Sequence, residues 1–305
     1  MIHTVTGDIK KEQLGLTLAH EHFAVDLREV RHDDYSVLED MEQVERELLK
    51  ARALGCRSAV EVTTNDMGRD VRALRALSEK TGVQIVCSTG FYLKEYHSEW
   101  VKTAPVKDLA ALFEREVQEG IDGTGIRAGL IAEVASSEEK IYPSEEKVLT
   151  AAGMASAKCG CAVSTHCQMG KLGHEQIELF LSQGMGADKI ILGHTDLRHD
   201  AGYQKSLLER GVNLAIDTVG KSAYLSDEAR ADDLLKLLEA GYEDHLLLSQ
   251  DVSRRSYLIE EGGRGYTAVL QYFLPMLRER GVDEGTLDKL LCKNPARILD
   301  IRQGE

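Results

Sequence analysis

The chain has 305 residues, of which 51 are acidic and 37 basic, so its formal net charge at neutral pH is −14. Nucleic acids and anionic membranes select basic surfaces, so this charge argues against both as partners and requires a local cluster of cations for any anionic ligand. No apolar run reaches the roughly 20 residues of a membrane helix and no signal-peptide pattern opens the chain, so we expect a cytoplasmic protein.

Short apolar runs alternate with longer amphipathic stretches along the whole chain. The apolar runs are near-continuous, as is typical of parallel strands covered on both faces. They predict strands over 16–22, 58–64, 83–92, 128–135, 162–167, 190–195, 213–217 and 246–251. The amphipathic stretches predict helices over 36–54, 70–81, 106–119, 143–158, 174–183, 201–210, 227–240 and 266–280. Eight strand–helix units without an intervening linker predict an α/β fold, a TIM (β/α)8 barrel, as a single domain over residues 1–305.

A doubly wound open sheet is the alternative architecture. Such a sheet normally carries a glycine-rich phosphate loop after its first strand, and neither GxGxxG nor GxxxxGK[ST] occurs where it would be needed. In a barrel, the residues at the C-terminal ends of the strands meet at one mouth. This rule predicts that residues scattered along the chain form one cluster.

Metal-ligating residue types occupy the ends of five predicted strands. Residues two apart on a strand point the same way, so His20 and His22 can reach one ion. Four imidazoles and two carboxylates exceed the needs of one tetrahedral ion, which favours two divalent ions that share a bridging carboxylate. We assign His20, His22 and Asp251 to one ion and His166 and His194 to the other. Glu133 is predicted to lie between the two ions. The predicted ligands are His20, His22, Glu133, His166, His194 and Asp251.

Simpler explanations exist for two of these ligands. Glu133 could be a buried acid paired to a base, although none is adjacent in the sequence, and Asp251 could cap a helix after the last strand. The other six histidines lie in predicted helices, loops or strand starts, where we expect solvated surface side chains.

The same residues resemble the phosphotriesterase family of the amidohydrolase superfamily. The resemblance rests on His20-Glu21-His22, on Glu133 at a strand end, and on Ser164-Thr165-His166, Gly193-His194-Thr195-Asp196 and Asp251. Many members use a carboxylated lysine as the bridging ligand, whereas this chain has glutamate. It is therefore similar to the glutamate-bridged subgroup, which contains phosphotriesterase homology proteins and phosphosugar lactonases.

The resemblance implies a hydrolase with two divalent ions, for which we expect Zn²⁺, with Mn²⁺, Fe²⁺ and Co²⁺ as alternatives. Two ions lower the pKa of a bridging water, so that hydroxide attacks the substrate at neutral pH. Asp251 is predicted to accept the proton and pass it to the leaving group. A Ser-His-Asp esterase is the rival chemistry, but the chain has no GxSxG nucleophile elbow.

The loops after the last two strands carry the best candidates for substrate binding. Barrels often hold a phosphate there, and the resemblance points to Lys221, Arg254 and Tyr257 as a clamp for a distal phosphate. The alternative is that Arg254 forms salt bridges with nearby acids such as Glu260. Tyr92, after the third strand, could line the pocket or serve packing only.

We therefore predict a binuclear metal-dependent hydrolase, a lactonase that acts on a phosphorylated sugar lactone. An amide or ester hydrolase of another small anionic substrate, or a weak phosphotriesterase, is the alternative enzyme. A barrel scaffold without catalysis is the alternative outside enzymes, but all six predicted ligands are present. The predicted partner is a small anionic molecule, and the sequence leaves open whether the chain forms a homodimer.

Overall fold

A computed structural model of the protein describes residues 1–301. Eight strands form one parallel sheet in the order β3-β6-β7-β8-β9-β10-β11-β12, and two antiparallel pairs, β1-β2 and β4-β5, lie outside it. The strands are β1 (Ile2–Thr4), β2 (Gly7–Ile9), β3 (Thr17–Glu21), β4 (Val25–Asp26), β5 (Val37–Leu38), β6 (Ser58–Glu61), β7 (Gln84–Thr89), β8 (Leu130–Ser136), β9 (Ala162–Cys167), β10 (Ile190–Gly193), β11 (Asn213–Ile216) and β12 (Leu246–Leu248).

The sheet curls into a nearly closed barrel, as the sequence predicts. Its first and last strands meet through single hydrogen bonds instead of a regular ladder. The backbone N–H of Asp251 donates to the carbonyl of His20 at 3.2 Å, and the N–H of His20 donates to the hydroxyl of Ser249 at 2.9 Å.

The α-helices are α1 (Arg28–Arg31), α2 (Met41–Ala53), α3 (Val71–Thr81), α4 (Glu99–Thr103), α5 (Val106–Gln118), α6 (Pro143–Cys159), α7 (Gly173–Ser182), α8 (Ala201–Leu208), α9 (Asp227–Glu239), α10 (Leu274–Glu279), α11 (Glu284–Asp288) and α12 (Asn294–Leu299). Six of them, α3 and α5 to α9, start within one residue of the predicted position and end within two. Asp70 shows why α3 begins where it does, because its carboxylate accepts from the N–H groups of residues 72 and 73.

Two predicted helices differ from the structure. The stretch 36–54 becomes helical only at Met41, because Asp40 caps α2 and residues 37–38 pair with β4. The stretch 266–280 contains a wide π-turn over Ala268–Phe273 before α10. Pro275 explains this irregularity, since it has no N–H to donate to the preceding turn.

Alternate strand residues fill two hydrophobic cores. Val60, Val86 and Leu247 belong to the core inside the barrel, which is closed at the N-terminal end by residues such as Ile2 and Ile298. A larger core lies between the outside of the sheet and the helices. The opposite end of the barrel stays open for a polar site. Within residues 1–301, no helix has the length and apolar character needed to cross a membrane.

Candidate metal centre

The structure brings all six sequence-predicted ligands together at the open end of the barrel. Five lie near or just after the C-terminal end of a barrel strand, β3, β9, β10 or β12, and Glu133 lies in the middle of β8, where the strand register is irregular. Five of them line a cavity of about 90 Å³, and His20 lies fully buried behind them. The predicted cluster therefore exists as a contiguous site.

Glu133 occupies the centre of this cluster. Its Oε1 lies 2.9 Å from Nδ1 of His166, 2.9 Å from Nε2 of His194 and 3.4 Å from Nε2 of His20. Its Oε2 lies 3.9 Å from Nε2 of His22. Because the two carboxylate oxygens face different imidazoles, the geometry suits a carboxylate that bridges two cations. The three-residue groups with metal-binding geometry include two that share this glutamate.

Asp251 and His194 hold their positions with unusual backbone conformations. The φ of Asp251 is 48° and that of His194 is 59°, in the left-handed region that side chains other than glycine rarely adopt. Oδ1 of Asp251 lies 3.1 Å from Nε2 of His22, and Oδ2 forms an ion pair with Lys221. Strained residues of this kind concentrate at functional sites.

Asp217 belongs to this site, although it is not among the residues predicted from the sequence. It follows β11 and is fully buried. Its Oδ1 lies 2.9 Å from Nδ1 of His194, and its Oδ2 lies 3.1 Å from Nδ1 of His20. These contacts direct the Nε2 atom of each imidazole at Glu133. The signal was available, because Asp217 is the acid at the end of the seventh predicted strand.

His22 has a comparable support on its outer side. Its Nδ1 lies 2.8 Å from the hydroxyl of Thr63, which donates to Oε1 of the buried Glu61 at 2.5 Å. The threonine therefore holds the imidazole with Nε2 toward Asp251. The sequence predicts no site role for Thr63, since nothing in a strand pattern distinguishes a packing threonine from one that orients a ligand.

The charges of this cluster fit divalent cations. Although burial opposes charging, the carboxylates of Asp217 and Glu133 raise the pKa of His20 to about 10. Among the described residues, Nδ1 and Nε2 of His20 and Oδ2 of Asp217 are buried and form no hydrogen bond of ordinary geometry, although Nδ1 and Oδ2 lie 3.1 Å apart. Buried carboxylates are costly unless cations neutralise them, and imidazole and carboxylate are common ligands of divalent transition metals. The donor set therefore suits metal ions.

The predicted phosphate clamp is only partly assembled in the cavity. Lys221 and Tyr257 line it, and Arg254 does not. Lys221 Nζ lies 4.9 Å and the Arg254 guanidinium 5.6 Å from the centre of the Tyr257 ring. Both cations also form ion pairs, Arg254 with Asp33 at 3.2 Å. The partner of Arg254 is thus not Glu260, the neighbour in sequence, which pairs with Arg46 instead.

Tyr92 lines the cavity as predicted, and its hydroxyl lies 3.2 Å from Nδ1 of His166. Its backbone is fixed on both sides: the N–H donates to Asp66 at 3.1 Å, and the carbonyl lies 2.9 Å from Nε2 of His97.

His97 and His3 are buried, so the expectation of surface side chains is wrong for these two histidines. Each bonds a backbone carbonyl, which offsets the cost of its burial.

Comparison with known proteins agrees with this geometry. The phosphotriesterase family model matches residues 1–299. The phosphotriesterase homology protein of Escherichia coli is 35% identical over 284 residues, with 93% of this chain and 97% of that protein covered. Its crystal structure, which holds phosphate in the active site, gives a TM-score of 0.92 at 34% identity and covers 94% of this chain and 99% of the other.

Two further relatives are hydrolases by name. N-acetyltaurine hydrolase of Rattus norvegicus is 32% identical over 346 residues, with 99% of this chain and 98% of that protein covered. The crystal structure of a lactonase from Listeria monocytogenes gives a TM-score of 0.94 at 28% identity, with 99% of each chain covered. The chain belongs to the phosphotriesterase family and is a metal-dependent hydrolase.

Proposed function

We propose that this protein is a binuclear hydrolase that opens lactones of phosphorylated sugar acids. The observation that carries the proposal is the position of Glu133, in contact with imidazoles on both sides of one cavity that Lys221 and Tyr257 also line. Proposed metal ligands and the cationic side chain of Lys221 thus line the same cavity.

The proposed ligands divide into two sets that share Glu133. His20, His22 and Asp251 would hold one ion, and His166 with His194 would hold the other. Bound there, divalent ions would lower the pKa of water and polarise the substrate carbonyl.

The chain's own residues have distinct tasks in this proposal. Asp251 would accept the proton of the attacking water at a carboxylate oxygen and deliver it to the departing hydroxyl of the opened lactone. Lys221, which contacts Oδ2 of Asp251, is placed to hold that carboxylate in its orientation. Asp217 and Thr63 would keep three imidazoles in the orientation that directs Nε2 inward.

The distal phosphate would lie beside Tyr257, where Lys221 and Arg254 both approach the ring. Without substrate, Lys221 pairs with Asp251 and Arg254 pairs with Asp33. A phosphate group supplies more acceptor oxygens than either of these carboxylates. Arginine offers a planar fork and lysine a point charge, which together suit a phosphate dianion.

An amide hydrolase is the second candidate, and a specific observation favours it. The chain is similar over almost its whole length to N-acetyltaurine hydrolases, which include an enzyme from Homo sapiens at 31% identity. Attack on an amide carbonyl needs the same pair of metal ions. The amine is a poorer leaving group and must be protonated, and Asp251 could supply that proton.

One substrate panel tests both candidates. The metal-loaded protein would be assayed on a sugar lactone with its terminal phosphate, on the same lactone without it, and on N-acetyltaurine. We expect kcat/KM to be highest for the phosphorylated lactone and Arg254→Ala to reduce this preference. Equal rates for the two lactones in the unmodified protein would contradict the phosphate assignment, and turnover of N-acetyltaurine alone would establish the amide candidate.

A further inference from the structure

Arg31 ends the short helix α1, in the loop after the first barrel strand. Its side chain lines the cavity of the metal centre and also a second cavity of about 420 Å³. Tyr92 and Gln168 line both cavities as well, so the two spaces adjoin at these three side chains. Arg31 therefore lies between the metal centre and a larger space beside it.

Among the described residues, Arg31 differs from the other cations of these two cavities because it forms no direct ion pair. Lys221 forms an ion pair with Asp251, and Lys94 forms one with Glu95 at 2.5 Å. In the part of the chain that the structure describes, no carboxylate forms an ion pair with Arg31. A guanidinium stays charged at physiological pH, so this end of the cavity carries a positive charge on which the carboxylates of Asp251 and Asp33 act without a direct ion pair.

Two phenol groups lie beside the guanidinium. Tyr92 and Tyr96 line the second cavity together with Arg31. A guanidinium has five N–H donors, more than two phenol oxygens can occupy, so donors remain available to a ligand. The Tyr92 hydroxyl also lies 3.2 Å from Nδ1 of His166, so a ligand on Arg31 would lie next to the metal centre.

The remaining walls of the second cavity restrict where an anion could lie. Glu138 and Glu139 also line it, and Glu138 is already paired with Lys171 at 2.6 Å. These carboxylates repel an anion from the part of the cavity that they line. An anionic group would therefore settle at the Arg31 end, where the phenols and the unpaired guanidinium meet.

We propose that Arg31 binds an oxyanion of the substrate, a carboxylate, sulfonate or phosphate, that lies within a few bonds of the scissile bond. The second cavity would receive the part of the substrate that carries this group. The inference rests on the proposed function and adds to it an anion subsite separate from Lys221 and Tyr257, which come from the loops after the last two barrel strands. The subsite at Arg31 would favour substrates whose negative charge is close to the reacting carbonyl.

Titration of the metal-loaded protein with inorganic phosphate, and separately with acetate, tests the subsite without any assumption about turnover. We expect Arg31→Met to raise the Kd of at least one of these anions about tenfold or more, since a desolvated charge-assisted bond is lost. Arg31→Lys keeps the charge without the fork and should give an intermediate Kd. Arg28→Met is the matched control, because Arg28 lies one turn earlier on α1 and is exposed, paired with Asp26 and Glu39.

Equal Kd values for Arg31→Met and Arg28→Met would overturn the subsite, as would the absence of binding of either anion to the unmodified protein. A second measurement uses a hydrolysed substrate. Arg31→Met should raise KM at least tenfold for an anionic lactone or amide, with kcat and the KM of a neutral lactone unchanged. If no substrate of the panel is hydrolysed, the proposed function fails while the anion titration still decides the role of Arg31.

Discussion

Asp251 contacts a predicted metal ligand with one carboxylate oxygen and a cation with the other. Oδ1 lies 3.1 Å from His22 Nε2, and Oδ2 contacts Lys221 Nζ. Asparagine keeps the shape and one ligating oxygen but cannot accept a proton. We expect Asp251→Asn to retain metal and to lower kcat by about 10²- to 10⁴-fold, the usual contribution of a general acid–base group. Metal analysis and steady-state kinetics on one preparation measure both; near-normal turnover with metal bound would exclude Asp251 from proton transfer.

Thr63 orients His22 without touching the cavity. Its hydroxyl lies 2.8 Å from His22 Nδ1 and is itself fixed by Glu61. Thr63→Val keeps the volume and removes this bond, so metal affinity should fall by about 10- to 100-fold, as is typical for residues that orient a metal-bound imidazole. Competition with a chromogenic chelator measures the change. Thr64→Val is the control, because the Thr64 hydroxyl donates to Asp66 and not to a histidine.

Asp66, beneath Tyr92, makes stability depend on pH. Burial raises the pKa of its carboxyl to about 6, although Thr64 and the Tyr92 N–H donate to it. Because the folded pKa is above the unfolded one, the protonated acid contributes stability that is fully present below pH 3.8 and lost as pH rises through about 6.

Asp66→Asn removes this titration and keeps an acceptor for the Tyr92 N–H. Between pH 5 and 8, the unmodified protein should lose about 1 kcal/mol of unfolding free energy relative to Asp66→Asn. Urea unfolding of both proteins across this range measures the difference. A constant difference at all pH values would show that Asp66 does not titrate in the folded protein.

At the scale of elements, Gly193 determines how closely β10 approaches its neighbour β9. A Cβ at this position would lie 2.3 Å from the carbonyl oxygen of Thr165 and 3.1 Å from Oδ2 of Asp217. Gly193→Ala must therefore displace the strand end that carries His194. We expect a loss of about 1–3 kcal/mol in the free energy of unfolding, as for other overpacked sites, together with weaker metal binding. Unchanged unfolding and full metal content would show that the strands separate without cost.

The predicted element boundaries succeed where one physical signal is strong. Residues 162–167 form β9 as predicted, because Gly160, in the left-handed conformation, ends α6 just before the strand begins. The pair β4-β5 was not predicted, since strands of two residues have no periodicity to read. Helix α2 begins later than predicted because residues 37–38, in its first predicted turn, pair with β4. The helical pattern of the stretch does not reveal this contact with another segment.

At the scale of the molecule, the barrel rule explains how much of the site the sequence reveals. One rule, that parallel strands end at a common mouth, places six separated residues together, and the structure shows them together. Loop contacts follow no such rule. Arg254 pairs with Asp33 from the opposite end of the chain, and Arg31 reaches the cavity from a helix of four residues. Neither contact has a spacing or periodicity that a sequence could display.

The predicted ligands also lie at both ends of the barrel sheet. His20 lies in the first barrel strand, His22 directly follows it, and Asp251 follows the last, at the junction where only isolated hydrogen bonds connect the strands. An ion shared by these three side chains would cross-link that junction. Ligands that bind only the folded state stabilise it by mass action, so removal of metal with a chelator should lower Tm, and added metal should restore it.

The loss of stability should also be local. Amide hydrogen exchange in the metal-free protein should increase most at β3 and β12, and least at β7, which carries none of the predicted ligands and pairs with β6 in a regular parallel ladder. A matched pair of samples, one dialysed against chelator and one reconstituted with about two equivalents of metal per chain, provides the comparison. If Tm falls but exchange increases equally in all eight strands, the ions stabilise the barrel without closing it at the β3-β12 junction.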